Sequence, residues 1–195
     1  GLIEEIMAIG RPAIPWDVEL GQWFDAHFPP LELRRTYARP SRRQSSTPDI
    51  ARPRFVKHEI DVHSRTFGVV LDTSGSMSRD LLAKALGSIA SYAIAREVPF
   101  VRVVFCDADA YDEGYMPPED IAAKVKIRGR GGTILMPGIR KLEEAEDFPK
   151  EGPILIITDT QCDRLTVRAP RDHAYLVPKG QRLPFPTVSP VFYVE

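Results

Sequence analysis

Short apolar runs alternate with helix-like segments over the last two thirds of this 195-residue chain. The pattern predicts strands at 67–71, Val101–Cys106, Ala110–Met116, Ile154–Ile157, 174–177 and Val191–Val194. It predicts helices at 78–97, 117–125 and 135–145. Strands that alternate with helices form a mostly parallel sheet with helices on both faces. We therefore predict an α/β domain with six strands.

A helix is also predicted near the N-terminus, at residues 16–28, after a shorter helical turn at 2–9. Its apolar residues recur every four positions and so share one face: they are Trp16, Leu20, Phe24 and Phe28. Pro15 suits the first turn of a helix, and Pro29 ends it. A helix of this length is marginal in isolation. We therefore expect its apolar face to pack on the α/β body.

A basic arm follows this helix. Residues 31–57 contain eight basic and two acidic residues, a balance of +6, with no sustained periodicity. Such an arm can bind nucleic acid or an acidic partner, or it can pair with acids of its own domain. We favour the last, and expect no nucleic acid, because the whole chain carries a net charge of −1. The predicted division is a helix and basic arm, 1–65, packed on a main domain, 66–195.

Cysteine content and the N-terminus bear on the compartment. The chain has two cysteines, Cys106 and Cys162, and Glu4 and Glu5 stand where a signal peptide would carry positive charge. A chain of this length without a disulfide framework is typical of a reducing compartment, so we expect a cytoplasmic protein. Its apolar stretches are too short and too interrupted to span a bilayer, and we expect no membrane partner.

Polar side chains follow the predicted strands, at the edge where α/β sheets bind ligands. They are Asp72, Ser74 and Ser76 after the first strand, Asp107 and Asp109 after the second, Thr133 in a glycine-rich loop, and Asp159 after the fourth. Close carboxylates repel each other unless a cation neutralises them. Oxygen ligands without His or Cys favour Mg²⁺, Mn²⁺ or Ca²⁺ over zinc. The sequence therefore predicts a divalent-cation site at this edge.

The triplet Asp72-x-Ser74-x-Ser76, together with Thr133 and the Ile-Thr-Asp that ends at Asp159, resembles the metal-ion-dependent adhesion site of von Willebrand factor type A domains. This resemblance implies that these five residues hold the metal. Their hydroxyls would bind it directly, and the metal would attract a carboxylate of a partner protein to its open position. We therefore predict a non-catalytic, cation-dependent protein-interaction module.

The resemblance covers about residues 66–195 and implies a Rossmann-like fold. The strand at 67–71 would then lie between Val101–Cys106 and Ile154–Ile157. Cys106 and Cys162 would be separated by two strand spacings, about 9–10 Å, too far for a disulfide. One residue departs from the family pattern: many type A domains have glycine after the late aspartate, where this chain has Thr160.

The upstream stretch, with Trp16 and the segment at 37–43, is similar to the C-terminal portion of bacterial proteins predicted to be metallopeptidases. Those proteins join a zinc-peptidase region to a type A-like domain. The resemblance implies that the chain is the C-terminal domain of a larger protein and that a MoxR-type AAA+ ATPase is a partner.

The main alternative is a metal-dependent hydrolase, either a peptidase or a phosphatase, that uses this site or a region upstream of the chain. His58 and His63 do not form a zinc clamp, because the motif requires histidines four residues apart on one helix face. An aspartate-nucleophile phosphatase would have a second acid two residues after Asp72, where this chain has Ser74. A nucleotide-binding protein is a further alternative, but the glycine-rich loop at 129–133 lacks the Gly-Lys-Ser/Thr of a P-loop.

Overall fold

A six-stranded sheet forms the centre of the protein. The structure, a computed structural model, describes residues 15–36, 54–57, 64–124 and 134–195. In chain order the strands are β1 (Leu33–Thr36), β2 (Arg54–Lys57), β3 (Gly68–Asp72), β4 (Val101–Cys106), β5 (Ala110–Met116), β6 (Ile154–Ile157), β7 (His173–Pro178) and β8 (Val191–Val194). The last six form one sheet in the order β5-β4-β3-β6-β7-β8.

The position of β3 confirms the predicted strand order, because β4 and β6 flank it on opposite sides. All neighbours in the sheet run parallel except β4 and β5, which are antiparallel. Every residue of β3 and of β6 is buried. Strands covered on both faces read as continuous apolar runs, which is why the sequence located these two so clearly.

Helices cover both faces of the sheet. They are α1 (Trp16–His27), α2 (Arg79–Ala95), α3 (Ile121–Lys124), which follows a 3₁₀ turn at Pro118–Asp120, and α4 (Met136–Glu144). Alternate residues of β3 pack on opposite layers: Val69 and Leu71 join the core formed with α1, α2 and α3, and Val70 joins the core formed with α4. None of the helices in the described ranges combines the length and the apolar character that a membrane-spanning segment needs.

Helix α1 is part of the main core. Leu20 and Phe24 are fully buried, and Trp16 is partly buried against the same cluster. The ring of Phe24 lies edge-on to Phe67, with 5.2 Å between the ring centroids. The guanidinium of Arg65 fastens the end of this helix to the end of α2, since it donates to the carbonyl oxygens of Phe28, Pro29 and Arg96. The apolar face predicted from the sequence is therefore the face that packs.

Part of the predicted basic arm forms a pair of strands. β1 and β2 pair antiparallel with each other rather than with the large sheet. On this pair the Arg35 guanidinium lies over the Phe55 ring, 5.6 Å from its centroid. The sequence predicted an extended arm but not this pairing. The remainder of the arm, the turn predicted at 2–9, and His58 and His63 lie outside the described residues.

Candidate metal centre

The candidate site lies at the carboxyl ends of two neighbouring parallel strands, β3 and β6. Leu71 pairs with Ile157 in the register, so Asp72 and Thr158 are the next residues along the two strands. Asp159 follows immediately. Asp72 is 0% exposed and Asp159 is 8% exposed. The two carboxylates therefore meet at the edge of the sheet where α/β proteins bind ligands.

A chain of hydrogen bonds connects these two carboxylates. Asp72 Oδ1 accepts from the backbone N–H of Ser74 at 2.9 Å. The hydroxyl oxygens of Ser74 and Ser76 lie 3.1 Å apart, and the Ser76 hydroxyl donates to Asp159 Oδ2. Four of the five predicted site residues are thus brought together. The fifth, Thr133, lies outside the described residues.

The turn after β6 has an unusual backbone conformation. Thr160 has a φ of +74°, in the left-handed region that favours glycine and that β-branched residues rarely adopt. Its N–H donates to Thr158 Oγ1 at 3.1 Å, and the N–H of Gln161 donates to Asp159 Oδ1 at 3.0 Å. The residue that departs from the family pattern therefore keeps the backbone conformation that a glycine would allow.

Thr158 is a site residue that the sequence analysis missed. Its side chain is fully buried, and its hydroxyl donates to Asp72 Oδ2 at 3.3 Å. The available signal was a hydroxyl residue that ends an apolar strand directly before Asp159. Because register places Thr158 beside Asp72, its role follows from strand pairing rather than from any motif.

The electrostatics of the site favour a bound cation. Burial raises the pKa of Asp72 above its usual range, hydrogen bonds from Ser74 and Thr158 oppose that change, and repulsion from Asp159 adds to it. Two carboxylates this close are costly to ionise together, and a cation between them removes that cost. The donors are all oxygens, as Mg²⁺, Mn²⁺ and Ca²⁺ prefer. The residues therefore fit the metal that the family resemblance implies.

Among the described residues, Asp107 and Asp109 do not join the hydrogen bonds that connect Asp72 with Asp159. Asp107 Oδ1 accepts from the N–H of Asp109, and Asp109 Oδ1 accepts from the N–H of Ala110. These side chains satisfy the backbone of the turn between β4 and β5. In the described parts of the chain, no three His, Cys, Asp or Glu side chains are grouped to hold a metal. Any site here relies on hydroxyls in addition to Asp72 and Asp159.

Helix capping does not explain the serines after β3. The N-cap of α2 is Ser78, whose hydroxyl accepts from the N–H of Leu81. The hydroxyls of Ser74 and Ser76 face each other and Asp159 instead. Local backbone satisfaction accounts for the contact of the Ser74 N–H with Asp72, but not for the contacts of the two hydroxyls.

The two cysteines are free thiols and should differ in reactivity. Burial, together with the smaller effect of the Asp72 and Asp107 carboxylates, raises the pKa of Cys106 to about 12. Cys162 is partly exposed, although burial also raises its pKa. Since the thiolate is the reactive form, native protein at about pH 8 should be alkylated by iodoacetamide at Cys162 and spared at Cys106. Peptide mass spectrometry measures both, with urea-unfolded protein as control. Equal labelling of the native thiols would contradict the prediction.

Comparison with known proteins identifies the family. No curated protein matches the chain. The family model described as VWA-like domain (DUF2201) matches residues 67–189, from the residue before β3 to the loop before β8. The match spans well over half of the chain and includes both Asp72 and Asp159. The chain therefore belongs to the VWA-like domain (DUF2201) family.

Proposed function

We propose that this chain is a protein-interaction module that binds a divalent cation and, through it, a carboxylate of a partner protein. The series of hydrogen bonds that runs from Asp72 through Ser74 and Ser76 to Asp159 carries the proposal. These four side chains would hold Mg²⁺, Mn²⁺ or Ca²⁺. The resemblance implies that Thr133 is a fifth ligand. The membership in the VWA-like family supports an interaction role.

The ligand types explain why a partner's carboxylate would bind. Ser74 and Ser76 are neutral ligands, and Asp72 already has both oxygens in hydrogen bonds to Ser74 and Thr158. A divalent cation bound directly by these neutral hydroxyls would keep more of its charge on the open side than one bound directly by both carboxylates. The cation supplies an electrophilic coordination position, and an acidic side chain of a partner satisfies it better than water does. The protein's own residues set the orientation of that position.

Three wider proposals rest on the sequence: the parent protein and its ATPase partner on the family resemblance, and the location on the cysteine content and the N-terminal residues. The chain would be the C-terminal domain of a larger protein of the predicted metallopeptidase type, with residues 1–65 packed on a main domain at 66–195. A MoxR-type AAA+ ATPase would be a partner. The protein would act in the cytoplasm.

Manganese relaxivity tests the proposed function directly. Calorimetric titration should first show binding of Mg²⁺ and Mn²⁺ to the wild-type chain. Glutarate should then displace water from the bound Mn²⁺ and lower the proton relaxivity, whereas the neutral analogue glutaramide should not. The absence of cation binding would refute the site. Cation binding with a relaxivity that glutarate leaves unchanged would refute the carboxylate-binding role.

A further inference from the structure

We infer that Thr158 is a positioning residue of the metal centre, whose single hydroxyl orients both Asp72 and Asp159. The inference rests on the proposed function, since it concerns the same site. Thr158 is not one of the residues predicted to contact the metal. It acts through the two carboxylates: it donates to Asp72, and it accepts from the N–H of Thr160, the residue after Asp159.

The direction of these hydrogen bonds is fixed by chemistry. The N–H of Thr160 can only donate, so the Thr158 oxygen accepts that bond. A carboxylate can only accept, so the hydroxyl proton of Thr158 points to Asp72 Oδ2. The Thr158 side chain is fully buried, and its backbone N–H is held by the carbonyl oxygen of Leu176 on β7. The hydroxyl therefore has a defined place and a defined polarity.

The bond to Asp72 fixes the plane of that carboxylate. Asp72 Oδ1 is held by the N–H of Ser74 on the β3 side, and Oδ2 is held by Thr158 on the β6 side. With one oxygen bound on each side, rotation about the bond to the carboxylate carbon breaks a hydrogen bond. Removal of the Thr158 hydroxyl takes away the hydrogen bond on the β6 side of this carboxylate.

The bond to Thr160 acts on the second carboxylate. It closes the left-handed turn at Thr160, and this turn places the N–H of Gln161 on Asp159 Oδ1. Asp159 Oδ2 is then left to accept from Ser76. A β-branched residue at positive φ persists only where its surroundings hold it there, and the Thr158 hydroxyl is one of those contacts.

Four proteins test this role: wild type, Thr158→Val, Thr158→Ser and Thr66→Val. Valine keeps the shape of threonine without the hydroxyl, and serine keeps the hydroxyl. Thr66 is a matched control, because it is a buried threonine whose hydroxyl donates to the carbonyl oxygen of Phe100. It lies just before β3, at the end of that strand opposite to Asp72. Calorimetry measures Mg²⁺ and Mn²⁺ affinity, and thermal unfolding in EDTA measures stability without metal.

Loss of a hydrogen bond that orients a metal ligand typically weakens affinity by about 10- to 100-fold, and we expect this for Thr158→Val. Thr158→Ser should retain most of the affinity. Thr66→Val should lose stability in EDTA but keep wild-type affinity. Should Thr158→Val not fold, Thr158→Ala, which also lacks the hydroxyl, replaces it and should also lose affinity.

Two results would overturn the inference and leave the proposed function standing. One is wild-type cation affinity in the variant that lacks the hydroxyl. The other is an equal loss in Thr158→Val and Thr158→Ser, because that loss would follow from side-chain shape. A wild-type protein that binds no cation would overturn both proposals.

Discussion

Replacement of Asp72 by alanine should abolish divalent-cation binding while the protein stays folded. Asp72 ends the central strand and anchors the hydrogen-bonded chain that reaches Asp159. Without it the cation would have hydroxyls and a single carboxylate, and Mg²⁺ sheds its water too reluctantly for such a set to hold it. The loss of affinity should exceed the roughly 100-fold that disturbing an outer hydrogen bond costs at most. The fold should survive because the change relieves repulsion between two carboxylates.

Asp109→Ala is the matched control for this prediction. Asp109 lies at the same edge of the sheet. Within the described part of the chain, its carboxylate accepts from the N–H of Ala110 and not from the site residues. Calorimetric titration with Mg²⁺ and Mn²⁺ should therefore give wild-type affinity for Asp109→Ala and no measurable binding for Asp72→Ala. Circular dichroism checks that both variants are folded. If Asp72→Ala binds the cation as tightly as wild type, the assigned site is wrong.

The sequence predicted most of the sheet because burial on both faces leaves continuous apolar runs in β3 and β6. It did not predict the direction of β5, which is antiparallel to β4. A strand's own residues do not encode its direction relative to a neighbour. The connection does: only residues 107–109 join these two strands, and a parallel neighbour needs a crossover of a dozen or more residues. The loop length therefore contained the information.

The site was predictable where residue type and strand end were sufficient. Asp72 and Asp159 lie together because parallel neighbours end at the same edge. Asp107 also follows a strand at this edge, but its carboxylate accepts from the N–H of Asp109 in its own turn, and residue type alone does not distinguish that role from metal binding. Thr158 was missed, since a hydroxyl acquires its role from a neighbour that only the register identifies. The positive φ of Thr160 was hidden because threonine is an unfavourable residue for that conformation.

Phe24→Ala should destabilise the whole domain by about 3–5 kcal/mol, as expected for the loss of a buried aromatic side chain. Phe24 lies on α1, well before the residues that the family model matches. Its ring is nonetheless 0% exposed and contacts Phe28, Phe67 and Tyr92, the last of these on α2. The cavity left by alanine would open beneath the start of β3. Urea denaturation should show a lower midpoint in a single transition.

Val18→Ala on the same helix provides the comparison, since Val18 is 42% exposed and alanine is the better helix former. Its stability should stay at or slightly above that of wild type. A lower midpoint for Phe24→Ala alone would show that α1 unfolds together with the sheet and that the folded unit extends beyond residues 67–189. Equal midpoints for both variants, or an early separate transition for the helix, would mean that α1 is a detachable element resting on an independent domain.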